Sequence, residues 1–234
     1  MRAHRLNPAL AFLAFGSWLL FAGQKNYWEN KSYTEWSEKE VDRLLKDSPW
    51  TKSVLLNTGP ESSSASGGKR SSGGGGDPEM SSAGGSLPGA IPRLVITWYA
   101  RPIREAMARR LMLTDPEASK DRIEKLLQPN AQSLVLLVTG WTLGRPPDRE
   151  AAIARFKKET VLLKKNKEKI LLAESVLPQK RDDPLYLRFP REVDGKPVLT
   201  LGDEEVTLVI RVGEDTYRFK FKLAEMLISE KLEL

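Results

Sequence analysis

The sequence predicts an α+β fold: a mainly antiparallel sheet or sandwich, with about three short helices packed on it and a disordered Gly/Ser-rich insertion. Three observations carry this. The segment 216–223 alternates cleanly, with Tyr217, Phe219, Phe221 and Leu223 on one side and Arg218, Lys220 and Lys222 on the other, the pattern of a strand with one buried and one wet face. Leu134 to Val138 is a continuous apolar run, which suits a strand covered on both faces. No βα unit repeats along the chain, which argues against a doubly wound parallel sheet.

From the N-terminus, Arg2, His4 and Arg5 precede an apolar run from Ala9 to Ala22. That run is shorter than the roughly 20 residues needed to span a bilayer, and with cations ahead of it the pattern is that of an export signal. Cleavage would fall near Ala22-Gly23-Gln24, but Leu20 or Phe21 upstream is larger than a signal peptidase prefers, so residues 1–23 are read as a signal peptide or an uncleaved anchor. The expected location is therefore periplasmic or extracellular, with a membrane tether through residues 9–22 as the variant.

Residues 24–234 are read as one α+β domain interrupted by a loop over 59–90. Of those 32 loop residues ten are Gly and nine are Ser, too little apolar surface to offset the entropy of ordering. The Ser66 to Lys69 S-x-x-K match falls inside it and is discounted, because a nucleophile needs a rigid surround. The piece before the loop is too small to hold a core alone and is expected to pack on the larger piece C-terminal to the loop.

Within the smaller piece, Ser37 as N-cap and Glu40 three residues on form a capping box, and Trp36 and Val41 are placed as a hydrophobic staple. Val41, Leu44 and Leu45 make the apolar stripe, and Ser48-Pro49 ends the helix. Trp28, Trp36 and Trp50 bracket it and are read as core in preference to a carbohydrate platform. Asn30-Lys31-Ser32 matches a glycosylation sequon, a pattern short enough to arise by chance.

After the loop, Arg93 to Tyr99 reads as a strand. It leads into a helix from Arg101 to Met112 with Pro102 in its first turn, burying Ile103, Ala106, Met107 and Leu111 and leaving Arg104, Arg109 and Arg110 on a solvated face. A second helix is expected from Asp115-Pro116, burying Ile123, Leu126 and Leu127. Beyond Leu134 to Val138, Thr160 to Lys165 and Ile170 to Val176 are expected to form a hairpin about Asn166-Lys167. Leu185 to Phe189 is a strand, and Val206 to Val212 pairs with Thr216 to Leu223 across Gly213-Glu214-Asp215.

The composition excludes much chemistry. There is no cysteine, and His4, inside the leader, is the only histidine. Beyond the leader there is therefore no Ser-His-Asp or Cys-His nucleophile, no zinc site of the usual N/S type, no Fe–S cluster and no axial histidine for haem. No catalytic, cofactor or metal residue is assigned, and no cofactor is expected. Without the leader, Lys+Arg falls from 37 to 35 against 31 Asp+Glu, a net of about +4. Export without disulfides leaves stability to the hydrophobic core.

Two clusters remain as candidates. Arg155 to Lys169, which includes Arg155 itself, carries a local net of +5 and with Arg218, Lys220 and Lys222 on the wet sheet face makes a candidate basic surface; its Lys157, Lys158, Lys164, Lys165, Lys167, Lys169, Lys220 and Lys222 form the candidate polyanion-binding set. Lysines on exposed strands also guard against edge-to-edge aggregation, and no specific nucleic-acid motif is present. The acidic runs Asp182-Asp183 and Asp203-Glu204-Glu205, near Arg181, are the carboxylates a histidine-independent enzyme or a calcium site would use. Turn acidity is the better account of them, since adjacent strand residues point to opposite faces.

Three blocks, Tyr33 to Trp50, Trp98 to Glu105 and Phe219 to Leu234, resemble an exported protein family of acidobacteria. The resemblance implies export and a shared fold, and no activity. Taken together, the expectation is an exported, non-catalytic interaction or structural module of the cell envelope with a protein partner. The alternatives are a binder of acidic polymer or membrane surface through a basic sheet face, and an enzyme using carboxylates.

Overall fold

The computed structural model describes residues 27–56, 93–140, 148–180 and 183–234. Residues 1–23, the insertion over 59–90 and Asp182 lie outside the described residues. In chain order the elements are α1 (Tyr27–Asn30), α2 (Glu38–Lys46), β1 (Thr51–Leu55), β2 (Arg93–Trp98), α3 (Arg101–Thr114), α4 (Lys120–Leu127), β3 (Ser133–Thr139) and α5 (Arg149–Glu159). They continue as β4 (Val161–Lys164), β5 (Lys169–Leu171), β6 (Glu174–Val176), β7 (Leu185–Pro190), β8 (Glu192–Val193), β9 (Lys196–Pro197), β10 (Glu205–Val212), β11 (Asp215–Lys222), β12 (Leu227–Ile228) and β13 (Lys231–Leu232). The fold is α+β. Every strand pair is antiparallel, in a five-stranded sheet of order β1-β2-β3-β7-β6, a four-stranded sheet of order β11-β10-β4-β5 and two short hairpins.

The register explains the core. In the five-stranded sheet Ile96, Val138 and Leu185 form one cross-strand row, and Trp98, Leu136 and Leu187 the next. In the four-stranded sheet Leu162, Leu208 and Phe219 form a row, with Val206 and Phe221 beside it. All of these side chains are buried in one cluster. Trp98 meets Phe221 edge to face, ring centroids 5.7 Å apart at 83°, which ties β2 to β11. A ring pair of this geometry adds about 0.5–1.5 kcal/mol beyond its burial.

The continuous run in β3 is buried on both faces, as its composition predicts. One face meets the four-stranded sheet. On the other, Val95, Thr97, Leu137 and Tyr186 lie under α3 and α4. β3 is followed by Gly140, whose φ is +77° and where a Cβ would stand 2.0 Å from the carbonyl oxygen of Arg93. Only glycine lets the two strands close there.

The helix caps follow the local sequence where the signals are strong. At α2 the Ser37 hydroxyl accepts from the Glu40 amide (3.4 Å) and the Glu40 carboxylate accepts from the Ser37 amide (2.7 Å), while Trp36 and Val41 are fully buried. The piece before the insertion is built into the rest: β1 pairs with β2, Arg109 Nε donates to the Trp36 carbonyl (2.8 Å), and Trp50 Nε1 donates to that of Glu233 (2.8 Å).

Four local expectations are corrected. Asp115 to Ala118 is a turn, α4 starts after Ser119, and its apolar residues are only half-buried, because α4 lies on α3 at the rim of the fold. The second arm of the hairpin splits: β5 stays with β4, and β6 crosses over to pair with β7. α5 is a helix the sequence pattern did not announce, since Phe156 is its one buried residue. Arg104, expected on a solvated face of α3, is buried, because β3 and the C-terminal segment approach α3 from that side. Among the described residues no helix is long and apolar enough to cross a membrane.

Two outcomes are expected. Trp98→Ala should lower unfolding free energy by about 3–5 kcal/mol in urea titrations. Burial, reinforced by Glu40, pushes the Tyr27 hydroxyl from 10.0 up to about 12. The folded chain thus favours the neutral phenol, so its contribution is complete below pH 10.0 and is lost as pH rises toward about 12. Tyr27→Phe should accordingly lose less stability than the parent chain across that window.

Candidate anion-binding surface

The face of the four-stranded sheet turned away from the core is set by strand parity. Arg218 pairs across to Val209 and Val161, and Lys220 to Thr207 and Leu163, while Leu163 also faces Lys169. The buried residues of the same strands, Leu162, Ile170, Leu208 and Phe219, point the other way. α5 packs beside β10 through Phe156 and stands up from this face. Between them lies a concavity of about 750 Å³, with Val161, Leu163 and Val209 along its floor and Arg155, Lys158, Lys169, Arg211 and Arg218 on its walls.

Among the described residues one carboxylate enters it. Glu159 accepts from Arg155 Nε at 2.9 Å and from Arg211 Nη1 at 3.5 Å. The Arg155 guanidinium holds the Glu159 carboxyl below the usual carboxylate range, and Arg211 adds to the effect. Lys158, Lys169 and Arg218 have no ion-pair partner among the described residues. Five cations therefore converge on one acid, with three of them uncompensated, over a floor that keeps their stems spread.

The expected polyanion set divides on this frame. Lys158 and Lys169 line the concavity. Lys220 and Lys222 are on the same sheet face but are paired, Lys220 with Glu205 at 3.0 Å and Lys222 with Glu225 at 3.1 Å. Lys164 shares parity with buried Leu162 and is held to Glu168 (3.3 Å) and Asp203 (3.5 Å). Lys165 lies 2.5 Å from Glu204, whose carboxylate raises its pKa. Lys167 occupies the left-handed position of the β4–β5 turn, and Lys157 is on the exposed side of α5. Arg155 and Arg218, both part of the expected basic surface, line the concavity, and Arg211 is the cation that was not expected there. Pairing β10 with β11 across Gly213 puts Arg211 on the Arg218 face, a signal present in the hairpin register.

The acidic candidates among the described residues serve local structure. Asp183 accepts from the Lys180 amide (2.9 Å), Asp203 accepts from the Thr200 amide (2.8 Å), and Glu204 and Glu205 are paired with lysines. Among the described residues no group of three His, Asp or Glu is placed to hold a metal.

A second concavity, of about 800 Å³, opens between α3, α4 and the outer face of the five-stranded sheet. Ile103, Met107, Leu111, Leu126, Leu137 and Tyr186 make it apolar. Two of its rim cations are neutralised, Arg110 by Asp42 and Arg122 by Asp115 (3.2 Å).

Neither a family model nor a curated protein matches this sequence. Among solved structures, a protein of unknown function from Burkholderia pseudomallei aligns with 54% of this chain and 73% of its own length, at 12% identity and a TM-score of 0.35.

Glu159→Gln should strengthen retention on a heparin column, since it releases Arg155 and Arg211 while preserving the side chain's shape. Elution at a higher salt concentration than the parent chain is the expected result.

Proposed function

We propose that the chain is an exported, non-catalytic binding module of the cell envelope that holds a segment of acidic polymer in the concavity between α5 and the four-stranded sheet. The observation that carries this reading is the convergence of Arg155, Lys158, Lys169, Arg211 and Arg218 on one cavity that, among the described residues, a single carboxylate enters. The concave shape favours a chain over a bilayer. A membrane surface is broad and meets projecting cations, whereas wall-mounted cations are reached by something narrow enough to enter. The leader pattern over residues 1–23 supports export. No imidazole or thiol is available beyond that leader, and the candidate carboxylates among the described residues, Asp183, Asp203, Glu204 and Glu205, are engaged in turns and ion pairs, which supports a non-catalytic role.

A protein partner is the second reading, and the apolar groove beneath α3 and α4 favours it. Apolar side chains entering that groove would bury Met107, Leu111 and Tyr186 without having to desolvate a free cation at Arg110 or Arg122.

The test compares binding to a sulfated or carboxylated polysaccharide with binding to vesicles rich in anionic lipid, each across a salt series. The triple change of Lys158, Lys169 and Arg218 to Gln should weaken polysaccharide binding and lower the slope of log K against log salt by about 2–3. Lys165→Gln with Lys167→Gln should leave both nearly unchanged. Stronger binding to vesicles than to polysaccharide, or equal loss in the two variants, overturns the reading.

A further inference from the structure

Arg104 sits in the first turn of α3, where the helix end is already positive and a cation is disfavoured. It is nevertheless only 8% exposed. Its guanidinium lies over the Tyr99 ring, 5.9 Å from the centroid, and it makes no hydrogen bond or ion pair with any described residue; its Nε is buried and unpaired. A buried cation in this condition costs several kcal/mol unless an anion meets it. Burial pushes Arg104 below the usual guanidinium range, only partly opposed by Tyr99, Glu233 and Glu105.

The side chain lines a pocket of about 290 Å³ between α3, the start of β3 and the C-terminal segment. Arg191 lines the same pocket. Its Nη2 donates to the Leu234 main-chain oxygen at 2.7 Å, and its buried Nε has no partner. Ser133 and Asn130 are also at the wall, where the Asn130 side-chain oxygen accepts from the Ser133 amide at 2.9 Å. The neighbouring glutamates are engaged elsewhere: Arg101 pairs with Glu105 (3.8 Å) and with Glu233 (3.6 Å), and neither forms an ion pair with Arg104 or Arg191.

We propose that the pocket bounded by Arg104, Arg191, Ser133 and Asn130 is a binding site for a small monocarboxylate, whose two oxygens are shared between the two guanidinium groups. A carboxylate has the planar pair of acceptors that guanidinium forks match. A phosphate dianion would bring a second negative charge beside Glu233, which lines the same pocket. The volume leaves room for a short carbon body behind the carboxylate. This site shares no residue with the basic concavity, and the inference does not depend on the polymer-binding reading.

The experiment follows acetate binding to the whole chain by saturation-transfer NMR and by melting temperature, at constant ionic strength balanced with chloride. Saturable acetate binding is expected, with inorganic phosphate weaker. Arg104→Met should abolish it while leaving the melting temperature unchanged or higher, since an uncompensated charge is removed. Arg191→Lys, which keeps the charge but not the fork, should weaken it by about tenfold. Non-saturating signals in the parent chain, phosphate preferred over acetate, or equal acetate binding in Arg104→Met overturns the proposal. A version extended by a Gly-Ser tail after Leu234 separates the remaining source of a carboxylate. Acetate binding seen only in that version means the segment 232–234 supplies the anion itself, and the pocket is then an internal clamp rather than a ligand site.

Discussion

The five-stranded sheet has to be covered on both faces, and the rest of the structure answers that requirement. Its central strand, from Leu134 to Val138, has no wet side. Leaving either face in water would forgo burial worth about 1.5–3 kcal/mol for each large apolar side chain. The four-stranded sheet closes one face through Leu208, Phe219 and Phe221, locked to Trp98. α2, α3 and α4 close the other face. With no cysteine to staple the chain, these two layers supply the stabilisation.

The two covers are unequal, and each concavity arises from that inequality. The four-stranded sheet is itself covered on one side only, so its outer side carries charged residues, with α5 rising from one margin to turn a flat basic face into a walled one. Three short helices do not tile a five-stranded sheet. Where α3 and α4 part from Tyr186 an apolar groove is left, and where the N-terminal turn of α3 meets Arg191 and the C-terminal segment a small polar pocket is left. The groove and the polar pocket share Tyr99, whose ring is wall to one and floor for Arg104 in the other. The basic concavity lies on the other sheet.

Ion pairing then sorts the cations. The chain is basic overall, but the adjacent Lys164 and Lys165 are folded back onto Asp203 and Glu204. The uncompensated charges are dispersed in sequence, on α5, β5 and β11, and gathered only by the sheet. Exposed pairs of this kind are worth little for stability, about 0–1 kcal/mol each. Their effect is to decide which cations remain available to a ligand.

Features that depend on neighbours along the chain were legible before the fold was known. The capping box at Ser37 and Glu40, the two-faced burial of Leu134 to Val138 and the alternation of Tyr217 to Leu223 all arise from interactions within a turn or a single strand. So, too, the antiparallel α+β class could be read from the residues. Packing in three dimensions settled the rest. α5 was hidden because Phe156 is its single buried residue, too little to write a periodic stripe. The crossing of β6 to the other sheet depended on β7 being within reach. Arg104 reads as a surface residue in any helical pattern and is buried only because β3 and residues 232–234 arrive from elsewhere in the chain. A site whose charges converge from distant elements leaves no spacing signature, since spacing records neighbours along the chain and a pocket records neighbours in space.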